Sequence, residues 1–285
     1  MPRPPQLLAA ALGLAAFAVA ATADAGPWVR DPGGAYVKVG AARFTAEDSF
    51  NQGVSTGLAY ESMTWNVYGE VGLPGRFQLV ADLPFVDGRN NSEAGVNYIN
   101  RTLGDARVQL DYGLFEDLPL TLSLEAKLPL YTPIARQDTS DPIASFPRSA
   151  VQFPDAGDGN LDLTPKVQFG HSFHPVPAWA TAELGYRARF DDFGDGVFFA
   201  ASAGLFVWPE HIAIGVFGNG VINLQTDDDP LARATKEFVY VQANTFVTLA
   251  PWLKGASLSL SVGTIPWANS TAAGSDVGLG VAYEL

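Results

Sequence analysis

Leu120, Leu122, Leu124, Ala126 and Leu128 fall on one face of a short segment, and Thr121, Ser123, Glu125 and Lys127 on the other. Alternation with a period of two marks a β-strand whose faces meet different surroundings. The pattern recurs. Residues 34–44 set Val37, Val39 and Ala41 against Tyr36 and Lys38. Residues 62–73 set Met63, Trp65, Val67, Val71 and Leu73 against Thr64, Asn66, Tyr68 and Glu70. Residues 76–85 set Phe77, Leu79, Ala81, Leu83 and Phe85 against Gln78 and Asp82. Residues 104–114 set Val108, Leu110 and Leu114 against Asp105, Arg107, Gln109 and Asp111. Residues 160–170 set Leu161, Leu163, Val167 and Phe169 against Asp162, Thr164, Lys166 and Gln168. Residues 178–190 set Leu184, Tyr186 and Phe190 against Glu183, Arg187 and Arg189.

The later segments are less clean. Residues 196–208 and 211–223 carry apolar side chains on both faces. Residues 237–249 set Val239, Val241, Ala243, Val247 and Leu249 against Phe238, Tyr240, Gln242, Asn244 and Phe246. Residues 256–264 set Leu258, Leu260 and Val262 against three serines, and 274–285 set Val277, Leu279, Val281, Tyr283 and Leu285 against Asp276, Gly278, Gly280, Ala282 and Glu284. With the segment at 119–130, the pattern predicts twelve strands.

The links between strands alternate in length. Short turns follow strands 2, 4, 6, 8 and 10, and longer links at about 45–61, 86–103, 131–159, 224–236 and 265–275 follow strands 1, 3, 5, 9 and 11. The link at 191–195 breaks this rule by being short. Short turns at one end and long loops at the other are the pattern of an outer-membrane barrel with periplasmic turns and extracellular loops. An even strand count leaves both termini on the periplasmic side. In lipid every backbone N–H and C=O needs a partner within the protein, so a spanning sheet closes on itself. A secreted β-sandwich also alternates. It does not explain the charge pairs Asp105/Arg107 and Glu125/Lys127 opposite unbroken apolar stripes.

Residues 1–25 read as a signal peptide: Arg3, an apolar run from Leu7 to Val19, then the small-x-small sites Ala21-Thr22-Ala23 and Ala23-Asp24-Ala25. The mature domain is then 26–285, a single barrel in the outer membrane of a Gram-negative bacterium. Composition agrees. Of 285 residues 47% are hydrophobic and only 16% charged, against roughly 25% charged in soluble domains. A net charge of −13 excludes nucleic acid as a partner, which requires Lys and Arg against phosphate. The absence of Cys excludes disulfides and thiolate chemistry.

Candidate chemistry is sparse. His171, His174 and His211 fall at periplasmic turns, away from the outer-leaflet wall where a Ser-His pair acting on lipid would sit, so no enzyme is expected. Acidic residues gather in the long links, among them Asp227–Asp229, and the stretch 155–162 (DAGDGNLD) has neither the spacing nor the distal Glu of an EF-hand. No metal and no cofactor are expected. Trp179, Trp208 and Trp252 fall beside periplasmic turns, where the lipid interface favours them; Trp28 and Trp267 take no assignment.

The inward face carries the functional information. Lys38, Arg107, Lys127, Lys166, Arg187 and Arg189 oppose Glu70, Asp82, Asp105, Asp111, Glu125, Asp162 and Glu183, with Tyr68 among them. Such charges either line a pore or pair across a narrow lumen and shut it. Strands 8–10 add Phe198, Phe206, Phe217, Phe238, Tyr240 and Phe246, an aromatic wall opposite a charged one.

The stretches 103–130, 157–170 and 182–190, with 26–40 and 68–85, resemble a family of outer-membrane proteins named for the meta-cleavage pathway of phenol degradation. The resemblance implies a β-barrel that passes hydrophobic or aromatic compounds. It carries no site residues. Two features depart from such barrels: Leu285 stands where a terminal Phe is usual, and Pro165 removes a ladder hydrogen bond and calls for an edge or a bulge.

The expected protein is thus a transmembrane antiparallel up-and-down β-barrel of about twelve strands. Its expected function is passive diffusion of a small hydrophobic or aromatic solute. No plug domain is expected. The alternative is a closed structural barrel whose acidic loops contact lipopolysaccharide or a partner. Expected partners are outer-membrane lipid, lipopolysaccharide and the barrel-assembly machinery, which would read Val281, Tyr283 and Leu285 on the closing strand.

Overall fold

The structure, a computed structural model, describes residues 26–51, 54–55, 58–92, 97–131, 154, 156–157, 159–190, 194–208, 211–224, 237–249, 253–269 and 271–285. The expected signal peptide, Trp252 and the acidic positions at 138, 141, 155, 158, 191, 192 and 227–229 lie outside them.

Twelve antiparallel strands form one closed sheet. They are β1 (Ala35–Asn51), β2 (Leu58–Leu73), β3 (Phe77–Ser92), β4 (Asn97–Leu103 continuing as Asp105–Gly113), β5 (Leu120–Pro129) and β6 (Asp162–Ser172). After these come β7 (Ala178–Arg189), β8 (Gly196–Trp208), β9 (Ile212–Asn223), β10 (Phe238–Thr248), β11 (Ala256–Ala268) and β12 (Ala272–Glu284). Each strand pairs with its sequence neighbours, and β12 returns to β1 in the register Tyr36↔Glu284, Lys38↔Ala282, Gly40↔Gly280. Backbone bonds between Ala35 and Leu285 continue the ladder to the last residue. The final strand is thus the seam with β1, and among the described residues the barrel sheet closes without an open edge.

The distribution of residues is inverted relative to a soluble domain. Leu279 is 67% exposed, Leu184 61% and Val216 57%, whereas Gln78, Asp111, Thr121 and Gln168 are fully buried. Soluble proteins bury the first kind and expose the second. An apolar outer belt around a polar interior is the solution for a barrel in hydrocarbon, and it excludes the sandwich.

Three expected long links are shorter than the sequence pattern implies. β1, β2 and β3 run to 17, 16 and 16 residues, and β11 and β12 to 13 each, so hairpins replace most of the links after β1, β3 and β11. About ten residues suffice to cross the membrane. Above it, backbone pairing continues without needing an apolar face, so the alternation fades before the strand does. β4 is interrupted once. The β3–β4 register runs Asp82↔Arg107 below Gly104 and Phe85↔Leu103 above it, a one-residue bulge.

Pro165 lies in neither of the settings expected for it. It sits in mid-strand in β6, paired with Leu124 of β5. Toward β7 the pairing lapses at Thr164 and Pro165 and resumes in unchanged register at Lys166↔Gly185. A closed, long ladder tolerates one missing N–H without shifting.

Candidate functional site

The charged wall is built by register. Side chains two residues apart share a face, so each inward residue meets its cross-strand partner. Asp82↔Arg107, Arg107↔Lys127, Lys127↔Asp162 and Asp162↔Arg189 form one belt across β3–β7. Asp162 is the hub of that belt. Its carboxylate, 1% exposed, accepts from Lys127 Nζ at 2.7 Å, Arg187 Nη2 at 2.5 Å and Arg189 Nε at 3.1 Å. Asn160 Nδ2 donates to it as well, at 3.1 Å. Lys127 also lies 3.6 Å from Asp105. One layer toward the periplasm, Lys166 Nζ donates to Glu125 at 2.9 Å and to Gln109, stands 3.9 Å from Glu183, and sits 5.3 Å above the Phe198 ring. Deeper still, Asp111 accepts from Gln109 at 2.7 Å and from Gln78 at 3.3 Å. The charges pair along the wall rather than across the lumen.

The opposite wall is aromatic and amide-bearing. Phe198, Phe206, Phe217, Phe238, Tyr240 and Phe246 all occupy inward positions in β8–β10. The apolar residues on both faces of β8 and β9 do not disturb this register, which shifts only at Phe206/Trp208. Between the walls lie two adjoining cavities. One of about 280 Å³ is lined by Lys38, Asn66, Tyr68, Gln109, Lys166, Glu183, Phe217 and Gln242 among others. The second, of about 380 Å³, lies toward the extracellular side between Asp105, Lys127, Asp162, Arg187 and Phe238. They share Asp82, Arg107, Glu125, Phe198 and Asn219.

Not every inward candidate borders this space. Glu70, Asp111, Arg189, Tyr240 and Phe246 face inward without lining either cavity. Phe246 packs on the cluster of Tyr36, Tyr68, Val80 and Ala282, and Tyr240 donates to Asp276 at 2.9 Å. Asn66, Gln109, Asn219 and Gln242 border it and were not singled out by the sequence, because neutral amides carry no charge pattern to follow.

Both ends of the lumen are narrowed by segments that the strand pattern does not reveal. At the short-turn end, residues 27–31 enter the barrel. Thr121 Oγ1 donates to the Pro27 carbonyl at 2.8 Å, and Arg30 N donates to Gln78 Oε1 at 2.9 Å. Trp28 lies against Gly170, where a Cβ would come within 2.8 Å of its ring. Arg30 clasps two strands at once, donating Nε to Glu70 at 2.5 Å and Nη1 to Glu284 at 2.7 Å, with its guanidinium 5.0 Å over the Tyr36 ring. Burial opposes the charge on Arg30, but Glu70 and then Glu284 outweigh it and hold the pKa above its ordinary value. Gly33, at φ +89°, turns the chain back into β1. A short stopper thus stands where no plug was expected. Trp28 belongs to it, and Arg30 is a functional candidate that the strand pattern passed over. At the other end, Asn100 Nδ2 donates to the Pro154 carbonyl at 2.9 Å, and Gly157 fits where a Cβ would meet Asp105 at 2.2 Å.

The aromatic residues at the periplasmic rim divide. Trp208 and Tyr283 face outward, 59% and 42% exposed, as an interfacial belt requires. Trp179 does not: at 4% exposure it turns into the lumen and stacks on Phe206, over a glycine at 204 that leaves room for it. Trp267 lies outward on the extension of β11, 47% exposed. His171, His174 and His211 sit at the periplasmic end, outside both cavities.

No family model matches the chain, and no curated protein is similar to it. Solved structures are. An outer membrane channel from Pseudomonas putida F1 superposes with a TM-score of 0.60 at 16% identity, over 93% of this chain and all of that one. The translocator domain of the autotransporter NalP from Neisseria meningitidis gives 0.52 at 9% identity, over 98% and 96%. The NanC porin gives 0.50 at 9% identity, over 88% and 100%. What this chain shares with them is its fold, the closed β-barrel of the Gram-negative outer membrane.

Proposed function

We propose that the barrel is a passive channel for a small solute with an apolar or aromatic body. The observation that carries this reading is the adjoining pair of cavities between a charged wall on β3–β7 and a phenylalanine wall on β8–β10. Paired charges solvate polar groups of a solute while the rings cover its apolar part. The resemblance to the phenol-pathway family supports the same solute class. The lumen is read as a conduit with no enzymatic centre, no cofactor and no energy coupling. Its partners are then lipid and lipopolysaccharide at the belt, and the assembly machinery at Val281, Tyr283 and Leu285. Liposomes loaded with the folded protein test the central idea. Uptake of a single-ring solute should fall in Phe198→Ala and Phe217→Ala, whose rings border the cavities, and unchanged uptake in both would end it.

The stopper at residues 27–31 favours a second reading, a closed barrel with a structural or surface role. Planar-bilayer recordings separate the two. Zero conductance under voltage, in both the native chain and one lacking 26–31, supports the closed barrel.

A further inference from the structure

Every lysine and arginine described within the lumen has a partner except one. Arg30 holds Glu70 and Glu284, Lys127 and both Arg187 and Arg189 hold Asp162, and Lys166 holds Glu125. Arg107 is engaged too. Lys38, half-buried on β1, has no hydrogen bond or ion pair among the described residues.

The register explains why. The direct neighbours of Lys38 are Tyr68 and Ala282, neither of which carries charge. The carboxylates nearest in the ladder are Glu70 and Glu284, which flank Tyr36 two positions away. Arg30 occupies both. With both held by Arg30, neither is left to pair with Lys38. Small residues leave space beside it, since a Cβ on Gly280 would reach to 3.0 Å of Lys38 Cε.

Lys38 borders the cavity of about 280 Å³, whose far side is formed by Phe198 and Phe217. The three carboxylates of that cavity are committed. Lys166 stands between Glu125 and Glu183, and Asp82 accepts from Asn66 at 3.2 Å beside Arg107. One acceptor is not: Asn219 Oδ1 is buried without a hydrogen-bond partner. The space is an unfinished interior with one uncommitted cation and two ring faces. At roughly 30 Å³ per water it holds on the order of nine waters, room for one substituted ring.

We propose that Lys38 and the Phe198–Phe217 wall form a binding site for a single-ring organic anion, with the anionic group on Lys38 Nζ and the ring against Phe217. The inference rests on the reading of the lumen as a solute path and adds the charge of the solute. A neutral ring would leave Lys38 without a counterion, and a cationic one would face it with like charge.

The test uses the full-length barrel folded in a neutral detergent, with three probes. Benzenesulfonate has the ring and a permanent negative charge. Methanesulfonate keeps the charge alone, and phenyltrimethylammonium keeps the ring with the opposite charge. Ligand-observed NMR titration should place benzenesulfonate about tenfold or more above the other two, since a charge-assisted contact in a confined site carries at least that factor. Lys38→Gln should lose about tenfold for benzenesulfonate and nothing for phenyltrimethylammonium. Lys38→Arg keeps the charge and should retain binding, and heat-modified gel mobility confirms that each variant is folded. Equal binding by Lys38→Gln and the native chain, or equal binding of the two ring probes, overturns the site. Liposome flux separates this from the channel reading. Binding as described without flux leaves the site standing and removes the channel. Flux that ignores both charge and Lys38 leaves the channel and removes the site.

Discussion

Replacing Arg30 with Ala should open the periplasmic mouth. The stopper is held by four polar bonds, and two of them, to Glu70 and Glu284, are charge-assisted and short at 2.5 and 2.7 Å. Hydrogen bonds to charged groups contribute about 1.5–3 kcal/mol each. Taking the low end for both, the closed state loses about 3 kcal/mol, which at 1.4 kcal/mol per decade is about 10²-fold in the closed-to-open ratio. The bonds from Arg30 N and Thr121 survive the substitution, so the segment stays near the mouth and gating persists with a higher open probability. Arg30→Lys should fall between, because an ammonium lacks the planar fork that reaches two carboxylates on different strands. Because the pKa of Arg30 is held above its ordinary value, its charge is kept throughout the working range, and raising the pH to about 10 should not open the channel by neutralising it. Single-channel recording in planar bilayers measures the open probability, with a chain lacking residues 26–31 as the fully open reference. If Arg30→Ala and that deletion both match the native trace, the segment does not close the mouth and the reasoning fails.

Three further outcomes follow from the same geometry. Asp162→Asn leaves Lys127, Arg187 and Arg189 crowded without their shared anion, and the barrel should unfold about 3–5 kcal/mol more easily in a urea titration; an unchanged midpoint would show that the hub is dispensable. Leu279→Arg places a cation on the lipid face at the most exposed belt position named above and should cost about 2–4 kcal/mol in folding into lipid, against a much smaller loss for Leu279→Ala. Asp195 accepts from Tyr186 Oη and from the Arg189 backbone N–H, and these bonds, the tyrosine's first, hold its carboxyl below the usual range. A depressed folded pKa stabilises the link above the ordinary carboxylate value near pH 4, and the gain is lost as pH falls through the folded value. The protection of the Arg189 amide from hydrogen exchange, taken relative to its intrinsic rate at each pH, should therefore fall in acid, and an Asp195→Asn variant should show no such change.

The strands, their faces and the barrel itself are legible in the sequence. Alternation is a local property, and lipid on one side with a polar lumen on the other makes its contrast strong from Lys38 to Glu284. Leu122 and Thr121, or Val281 and Ala282, declare their sides without reference to any other strand. Even the closure of β12 on β1 follows, because an open edge cannot stand in hydrocarbon. Where lipid stops constraining the chain the pattern weakens, and the ends of β1, β3 and β11 run past their expected limits.

What touches what is a different matter. Inward residues are named by their face, but their partners depend on the stagger between strands, which shifts every contact around the barrel. Only the assembled register brings Lys127, Asp162 and Arg189 into one row. Only closure brings Arg30 to Glu284, separated by 254 positions in the chain. Residues 27–31 show no period, because a segment buried among side chains inside a lumen has no repeating contrast to follow. Lys38 illustrates the division most clearly. The sequence determines that it faces the lumen; the tertiary structure decides that both nearby carboxylates are already taken, and with that the charge offered to whatever enters.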